Sequence, residues 1–386
     1  MCNSNAREEL MPKPLKLINP FKPTAGMTPP VLIGREGVID DFVDGLDKGP
    51  GAPSRLMRIT GLGGSGKTVL LTQLGDIAAD RGWTVVNVSG REPLCASIQE
   101  QLAHDTRLRS LDIKISLPVV SAEAHLGGAA EELSFREVLT RATRSLTKHG
   151  SGLLITVDEV QDASHEEMAT IATSVQYMIR EQQDIGLLFA GITTGVLDLL
   201  NGEGITFLRR AKAEELASIP TEEVARALRK TIEASGLHID DDALAYAAGQ
   251  SHGYAYLIQL VGYYVWREGR RHSRESVTIT LADARRGSEV ALQEFGSSVL
   301  ETAISGLTKP AVDDLLAMTE DEGASSTSEI AKRMGMPASS ANTYRRILIE
   351  RQIIESTAPG FVAFSIPFMR EYLLQHRADI LERYGA

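Results

Sequence analysis

Residues Gly61-Leu62-Gly63-Gly64-Ser65-Gly66-Lys67-Thr68 constrain this chain more than any other stretch. They fit G-x-x-x-x-G-K-[ST] and fall between an apolar run, Arg55–Thr60, and a helix-period stretch, Lys67–Asp80. The glycines at 61, 63, 64 and 66 let consecutive backbone N–H groups converge on a phosphate with no Cβ in the way. A helix starting at Lys67 adds its dipole. The spacing assigns Lys67 to the β- and γ-phosphates and the Thr68 hydroxyl to Mg²⁺, with Val69 the next residue of the nucleotide site.

Such a loop needs a buried strand to carry it. Thr84–Val88, Gly152–Val157 and Ile185–Gly191 are further short apolar runs, and Phe135–Lys148 and His165–Arg180 have helical period. Strands alternating with helices predict an α/β core, a parallel sheet with helices on both faces. Thr106–Leu133, with Gly127 and Gly128, reads as an insertion loop. The run Leu153-Leu154-Ile155-Thr156-Val157 ends in Asp158-Glu159, the pattern of a strand delivering acids to a metal–phosphate site. Asp158 is expected to hold Mg²⁺ through its water and Glu159 to polarise the attacking water. Thr193, with Thr194 as alternate, follows Ile185–Gly191, where a hydroxyl can meet the γ-phosphate or serve as a helix cap. Arg209 and Arg210 are either transition-state arginines acting on a neighbouring subunit or solvated surface cations.

Beyond Pro220 strands nearly vanish. Thr221–Ser235, Asp240–Ser251, Tyr254–Arg267 and Thr280–Ile304 read as helices of an all-α lid. After Lys309-Pro310 come helices near Ala311–Met318, Ser328–Met334 and Ser339–Arg351, then β-like runs Ile353–Ser356 and Phe361–Ser365 and a helix from Pro367. That is winged helix-turn-helix order, with Ser326-Thr327-Ser328-Glu329 as a capping box. Ser340, Asn342, Thr343, Arg345 and Arg346 are then the candidate nucleic-acid contacts of the second helix. The expected divisions are a proline-rich arm at 1–33, a nucleotide core at 34–219, a lid at 220–306 and a winged helix at 307–386. Six of the fifteen prolines fall in the arm, which is expected to be extended and draped over another part of the molecule.

Charge tempers the DNA reading. The chain carries a net −11, and residues 310–386 hold eight Lys and Arg against eleven Asp and Glu, a net −3 where a DNA reader usually shows a basic footprint. Cys2 and Cys95 are too few for a disulfide framework. No apolar run approaches a membrane span, and the first twenty residues lack a secretory core, so a soluble, cytoplasmic protein without a membrane partner is expected.

Gly34-Arg35-Glu36, the phosphate loop, Asp158-Glu159, Thr193 and a helical unit followed by a winged helix together resemble AAA+-like P-loop ATPases. The similar group comprises origin-recognition-complex-type initiators, archaeal-type ATPases and signal-transduction (STAND) ATPases. The resemblance implies ATP rather than GTP, adenine contacts from the Pro30–Ile33 backbone, Ile33 included, and an entry-motif role for Arg35. It departs at Ser251–Ile258, where initiators commonly carry a lid arginine and this chain has none. That departure favours a slow ATP hydrolase acting as a nucleotide-dependent switch. Two other readings stay open: an ATP-licensed DNA-binding initiator, transposition helper or regulator, and an ATP-assembled signalling scaffold, with a protein partner or homo-oligomer. The aromatics Tyr254, Tyr256, Tyr263, Tyr264 and Trp266 read as lid core in preference to a base-stacking platform.

Overall fold

The structure is a computed structural model that describes residues 17–24, 27, 29, 32–110, 133–271 and 277–385. The early prolines Pro12, Pro14 and Pro30, and residues 111–132 of the expected insertion, lie outside the described residues.

The first layer set is a five-stranded parallel sheet. Its strands are β1 (Leu56–Gly61), β2 (Thr84–Ser89), β3 (Leu153–Asp158), β4 (Ile185–Gly191) and β5 (Lys212–Leu216), in the order β2-β3-β4-β1-β5. Helices α1 (Glu36–Lys48), α2 (Lys67–Asp80), α3 (Leu94–His104), α4 (Thr106–Ser110), α5 (Phe135–Lys148), α6 (His165–Arg180) and α7 (Thr193–Asn201) surround it. Two apolar clusters cover the sheet's opposite faces. The central strands β3 and β4 are apolar along nearly their whole length because both of their faces are buried. β5, of sequence Lys-Ala-Glu-Glu-Leu, is an edge strand that among the described residues pairs with β1 alone, and its three charged residues hid it from an apolar-run reading. Thr106–Ser110, expected as loop, is helical because Asp105 accepts the Leu108 N–H at 2.8 Å and opens a turn.

The helical unit that follows contains α8 (Thr221–Ala234), β6 (His238–Ile239), α9 (Asp241–Gln250), α10 (Ala255–Arg271), β7 (Thr278–Ile279) and α11 (Leu281–Phe295). The α11 helix is opened by a capping box from Thr280 and Asp283 and continues through a π-helical turn into α12 (Glu301–Ile304). The expected core role of the aromatics holds in part: Tyr254 and Trp266 are buried, and Tyr254 and Tyr256 pack on Phe295.

The C-terminal unit runs α13 (Lys309–Met318), β8 (Ser325–Ser326), α14 (Thr327–Arg333), α15 (Ala338–Glu350), β9 (Ile354–Ala358), β10 (Phe361–Phe364), α16 (Met369–Gln375) and α17 (Arg377–Gly385). Its three strands form a sheet in the order β8-β10-β9. The expected capping box at Ser326 does not form; Ser326 shares a 2.9 Å hydrogen bond with the Ser328 hydroxyl instead. One apolar cluster runs unbroken from α8 to α17, so packing joins the lid to the C-terminal unit across the expected division at 306.

The described part of the arm lies along the lid. Phe21 is buried against Gly262 of α10, where a Cβ would come within 2.3 Å of the ring. Asn19 Nδ2 donates to the Tyr263 carbonyl at 2.9 Å, and the Lys22 N–H donates to Gln259 Oε1 at 3.3 Å.

Candidate nucleotide site

The sheet order decides how the site is assembled. β1 delivers the phosphate loop, β3 delivers Asp158 and Glu159, and β4 lies between them, carrying Thr193 just past its end. In an open parallel sheet the crevice beyond the strands' carboxyl ends is the natural ligand site.

Gly64 and Gly66 have φ of +73° and +95°, conformations that glycine adopts without strain. The loop curls around the Lys67 side chain, whose Nζ donates to the Gly61 and Leu62 carbonyls at 2.9 Å each. Burial pushes the Lys67 ammonium below its ordinary range, while Glu159 and Asp158 oppose that shift. A cavity of about 250 Å³ opens beside the loop. Gly63–Val69, Ile33, Arg35 and Glu159 line it, with Ile219 and Ile258 on the apolar side. Among the described residues lining it, the cations are Lys22, Arg35 and Lys67. Arg35 donates to the Ala217 carbonyl at 3.2 Å and to Ser65 at 3.5 Å, and burial lowers its pKa.

The Thr68 hydroxyl donates to Asp158 Oδ2 at 2.6 Å, so the two expected metal ligands meet at one point. A hydroxyl and a carboxylate are hard oxygen donors, the chemistry that suits Mg²⁺, and Thr68 lines the cavity. Glu159 stands beside them at φ +50°, hydrogen-bonded by the Gln161 side-chain amide.

Three residues from outside the core also reach the loop. The Tyr254 hydroxyl donates to the Gly63 carbonyl, the Tyr256 N–H to Gly64 at 3.3 Å, and Gln352 Nε2 to Gly61 at 3.3 Å. Sequence reasoning missed Gln352 and read the Tyr254 ring as lid core. Gly64 carried the signal, since a Cβ there would sit 2.2 Å from the Tyr254 hydroxyl. Lys22, Pro23, Thr24 and Met27 of the arm wall the cavity and were also missed.

Other expected positions separate. Thr193 opens α7 with Ile192 as its cap, so neither Thr193 nor Thr194 is the capping residue. Thr193 lines a second cavity, shared by Gly61, Leu62, His252 and Glu355, on the side of the C-terminal unit. Arg209 and Arg210 are exposed and outside both cavities, and Arg209 donates to the Leu200 carbonyl at 2.8 Å. Ser340, Asn342, Thr343 and Arg346 are exposed along α15. Arg345 is a correction: it is 5% exposed, turned into the C-terminal unit beside the fully buried Asp314 at 3.5 Å. Its position falls on the same face as Ala341 and Leu348, the helix's inward side.

The fold and this loop are those of a P-loop NTPase. Residues 31–184 match the AAA ATPase domain, and residues 297–373 match a domain of unknown function, DUF8462. No curated protein sequence matches the chain. Among solved structures, the Aeropyrum pernix ORC2 protein in its ADPNP–ADP complexes is 14% identical, with a TM-score of 0.64 over 94% of this chain and 97% of that one. The Walker-type ATPase PABY2304 of Pyrococcus abyssi is 14% identical, with a TM-score of 0.63 over 89% and 96%. Cdc6p from Pyrobaculum aerophilum is 18% identical, with a TM-score of 0.50 over 94% and 98%. The chain therefore shares its fold with these Cdc6 and ORC proteins, and its residues 31–184 are similar to the AAA ATPase domain. Among the described residues, no helix is long and apolar enough to cross a membrane.

Proposed function

We propose that the protein binds ATP with Mg²⁺, hydrolyses it slowly, and uses nucleotide occupancy to set how the lid and the C-terminal unit sit on the core. The observation that carries this reading is the phosphate loop itself: its Gly61, Gly63 and Gly64 carbonyls are held by Gln352, Tyr254 and Tyr256, from the two other units. A phosphate drawn into the loop recruits Lys67, which now bonds Gly61 and Leu62, and so changes what those carbonyls offer Gln352. The nucleotide complexes of the Aeropyrum ORC2 relative support the ligand.

Thr68 and Asp158 are the residues that would hold Mg²⁺, which when bound neutralises charge on the β- and γ-phosphate oxygens. Glu159 accepts a proton from water as its oxygen bonds the γ-phosphorus and the bond to the ADP oxygen breaks. Slowness follows from a lid that meets the loop with tyrosines and no arginine between Ser251 and Ile258. Arg209 and Arg210, outside their own cleft, can serve phosphates only on a neighbouring copy. The working divisions remain 34–219, 220–306 and 307–386, the last read as a winged helix.

Lys67→Ala should abolish binding of a fluorescent ATP analogue, and Glu159→Gln should bind ATP without turnover. Undiminished binding by the first variant defeats the nucleotide-site assignment. DNA contact is the second reading, favoured by the free face of Ser340, Thr343 and Arg346 on α15. Duplex binding with ATP at low salt supports it, and no binding there removes it, since phosphate contacts are strongest in low salt.

A further inference from the structure

We propose that Gln161, in the turn after β3 and anchored to the backbone just past β4, is a positioning residue that aims the Glu159 carboxylate; the inference rests on the hydrolytic reading above. Glu159 leaves β3 in the left-handed region at φ +50°, unusual for a residue with a side chain, and its own N–H is taken by Asp158 Oδ1 at 2.9 Å. Two residues on, Gln161 places its amide between two elements. Its Nε2 donates to Glu159 Oε2, and its Oε1 accepts the Ile192 N–H at 3.3 Å, immediately before Thr193.

The bond to Ile192 settles the amide's orientation. With the oxygen committed to a main-chain N–H, the NH₂ group must face the carboxylate. One carboxylate oxygen is thereby tied, leaving the other to accept from water. Space for the clamp is cleared from β4 and α7. A Cβ on Gly191 would lie 2.5 Å from Gln161 Oε1, and one on Gly195 would lie 2.3 Å from Gln161 Cβ. Neither glycine has positive φ, so both are small for room rather than for backbone freedom. A flexible glutamate held in one rotamer spends more of its time in reach of the attacking water.

The full chain with Mg²⁺ and ATP tests this through two substitutions that separate the halves of the amide. Gln161→Glu keeps an acceptor for Ile192 and loses the donor to Glu159; Gln161→Leu loses both. The expected result for each is a kcat at least about tenfold below the parent, with KM and analogue affinity within about twofold. Gly195→Ala, which touches neither Glu159 nor nucleotide, should lower kcat by crowding Gln161. A Gln161→Glu protein that turns over at the parental rate, or one that loses nucleotide affinity instead of kcat, overturns the assignment. Glu159→Gln run alongside separates the two levels. If it is inactive while Gln161→Glu is unimpaired, only the Gln161 role falls; if it is fully active, the hydrolytic reading falls too.

Discussion

Tyr254 of the lid donates its hydroxyl hydrogen to the Gly63 carbonyl of the phosphate loop. The ring is buried, and its edge packs on Phe295 of the same helical unit. A buried phenol therefore joins the loop between β1 and α2 to the helical unit. The adjoining Gly64 has no side chain for the reason already visible in the geometry: any Cβ would occupy the hydroxyl's place.

Tyr254→Phe should cost about 0.5–1.5 kcal/mol, the net worth of one hydrogen bond, measured by denaturant unfolding near neutral pH. Burial pushes the Tyr254 phenol up to about 12, above the value of about 10 in an unfolded chain. The neutral form is thus favoured by folding. Its contribution is complete below about pH 10 and is lost as pH rises through 12. The Phe variant should lack that alkaline component; an identical alkaline profile in both proteins would argue against the buried phenol.

Phe21→Ala should release the arm from α10 and quicken nucleotide dissociation, because Lys22, Pro23, Thr24 and Met27 wall the cavity next to that anchor. Stopped-flow release of a fluorescent ATP analogue checks this. Gly262→Ala should act alike, since its Cβ would meet the Phe21 ring. An unchanged off-rate in both variants would mean that the arm does not retain the ligand.

Arg345→Met should destabilise the C-terminal unit by about 3–5 kcal/mol, the usual cost of leaving a buried charge without its partner. Burial raises the Asp314 carboxyl to about 6 against the attraction of Arg345. Its unfolded value is about 3.9, so this group favours the folded state fully below pH 4 and loses that advantage as pH climbs to 6. The stability of Asp314→Asn relative to the parent should therefore rise between pH 4 and 6, as read by denaturation at each pH. A flat difference would place the carboxylate in a better-solvated setting than the structure gives it.

Gln352→Ala should weaken the hold of the C-terminal unit on the loop, because the side chain's Nε2 bonds the Gly61 carbonyl. Nucleotide-dependent change in small-angle scattering should shrink or vanish in this variant, while ATP affinity stays within a few-fold. A parental scattering response would remove Gln352 from the coupling.

Much of the core was legible because its signals are local. Four of five strands announced themselves as apolar runs: β1, β3 and β4 because interior parallel strands bury both faces, and the edge strand β2 because Val86 and Val88 still face the core. β5 did not: an edge strand tolerates Lys212, Glu214 and Glu215, and reads as a polar loop. Arg345 misled for a related reason. A polar residue on an amphipathic helix is assigned outward by type, and only the position of Asp314 on α13 shows why it is inward. The same limit applied to Ser326, whose spacing from Glu329 fits a capping box that the actual hydroxyl pairing replaces.

By itself the sequence determined the phosphate loop, the acidic pair ending β3 and the succession of an α/β core, a helical unit and a helix–turn–helix with a hairpin. These are set by contiguous residues whose spacing and polarity suffice. The tertiary structure alone decided what encloses the loop. Tyr254 lies 191 residues from Gly63, and Gln352 lies 291 residues from Gly61. Contacts at such separations depend on how packed units are placed against one another, and no local periodicity encodes that placement. The seat of Phe21 on α10 is of the same kind, since it needs the missing side chain at Gly262.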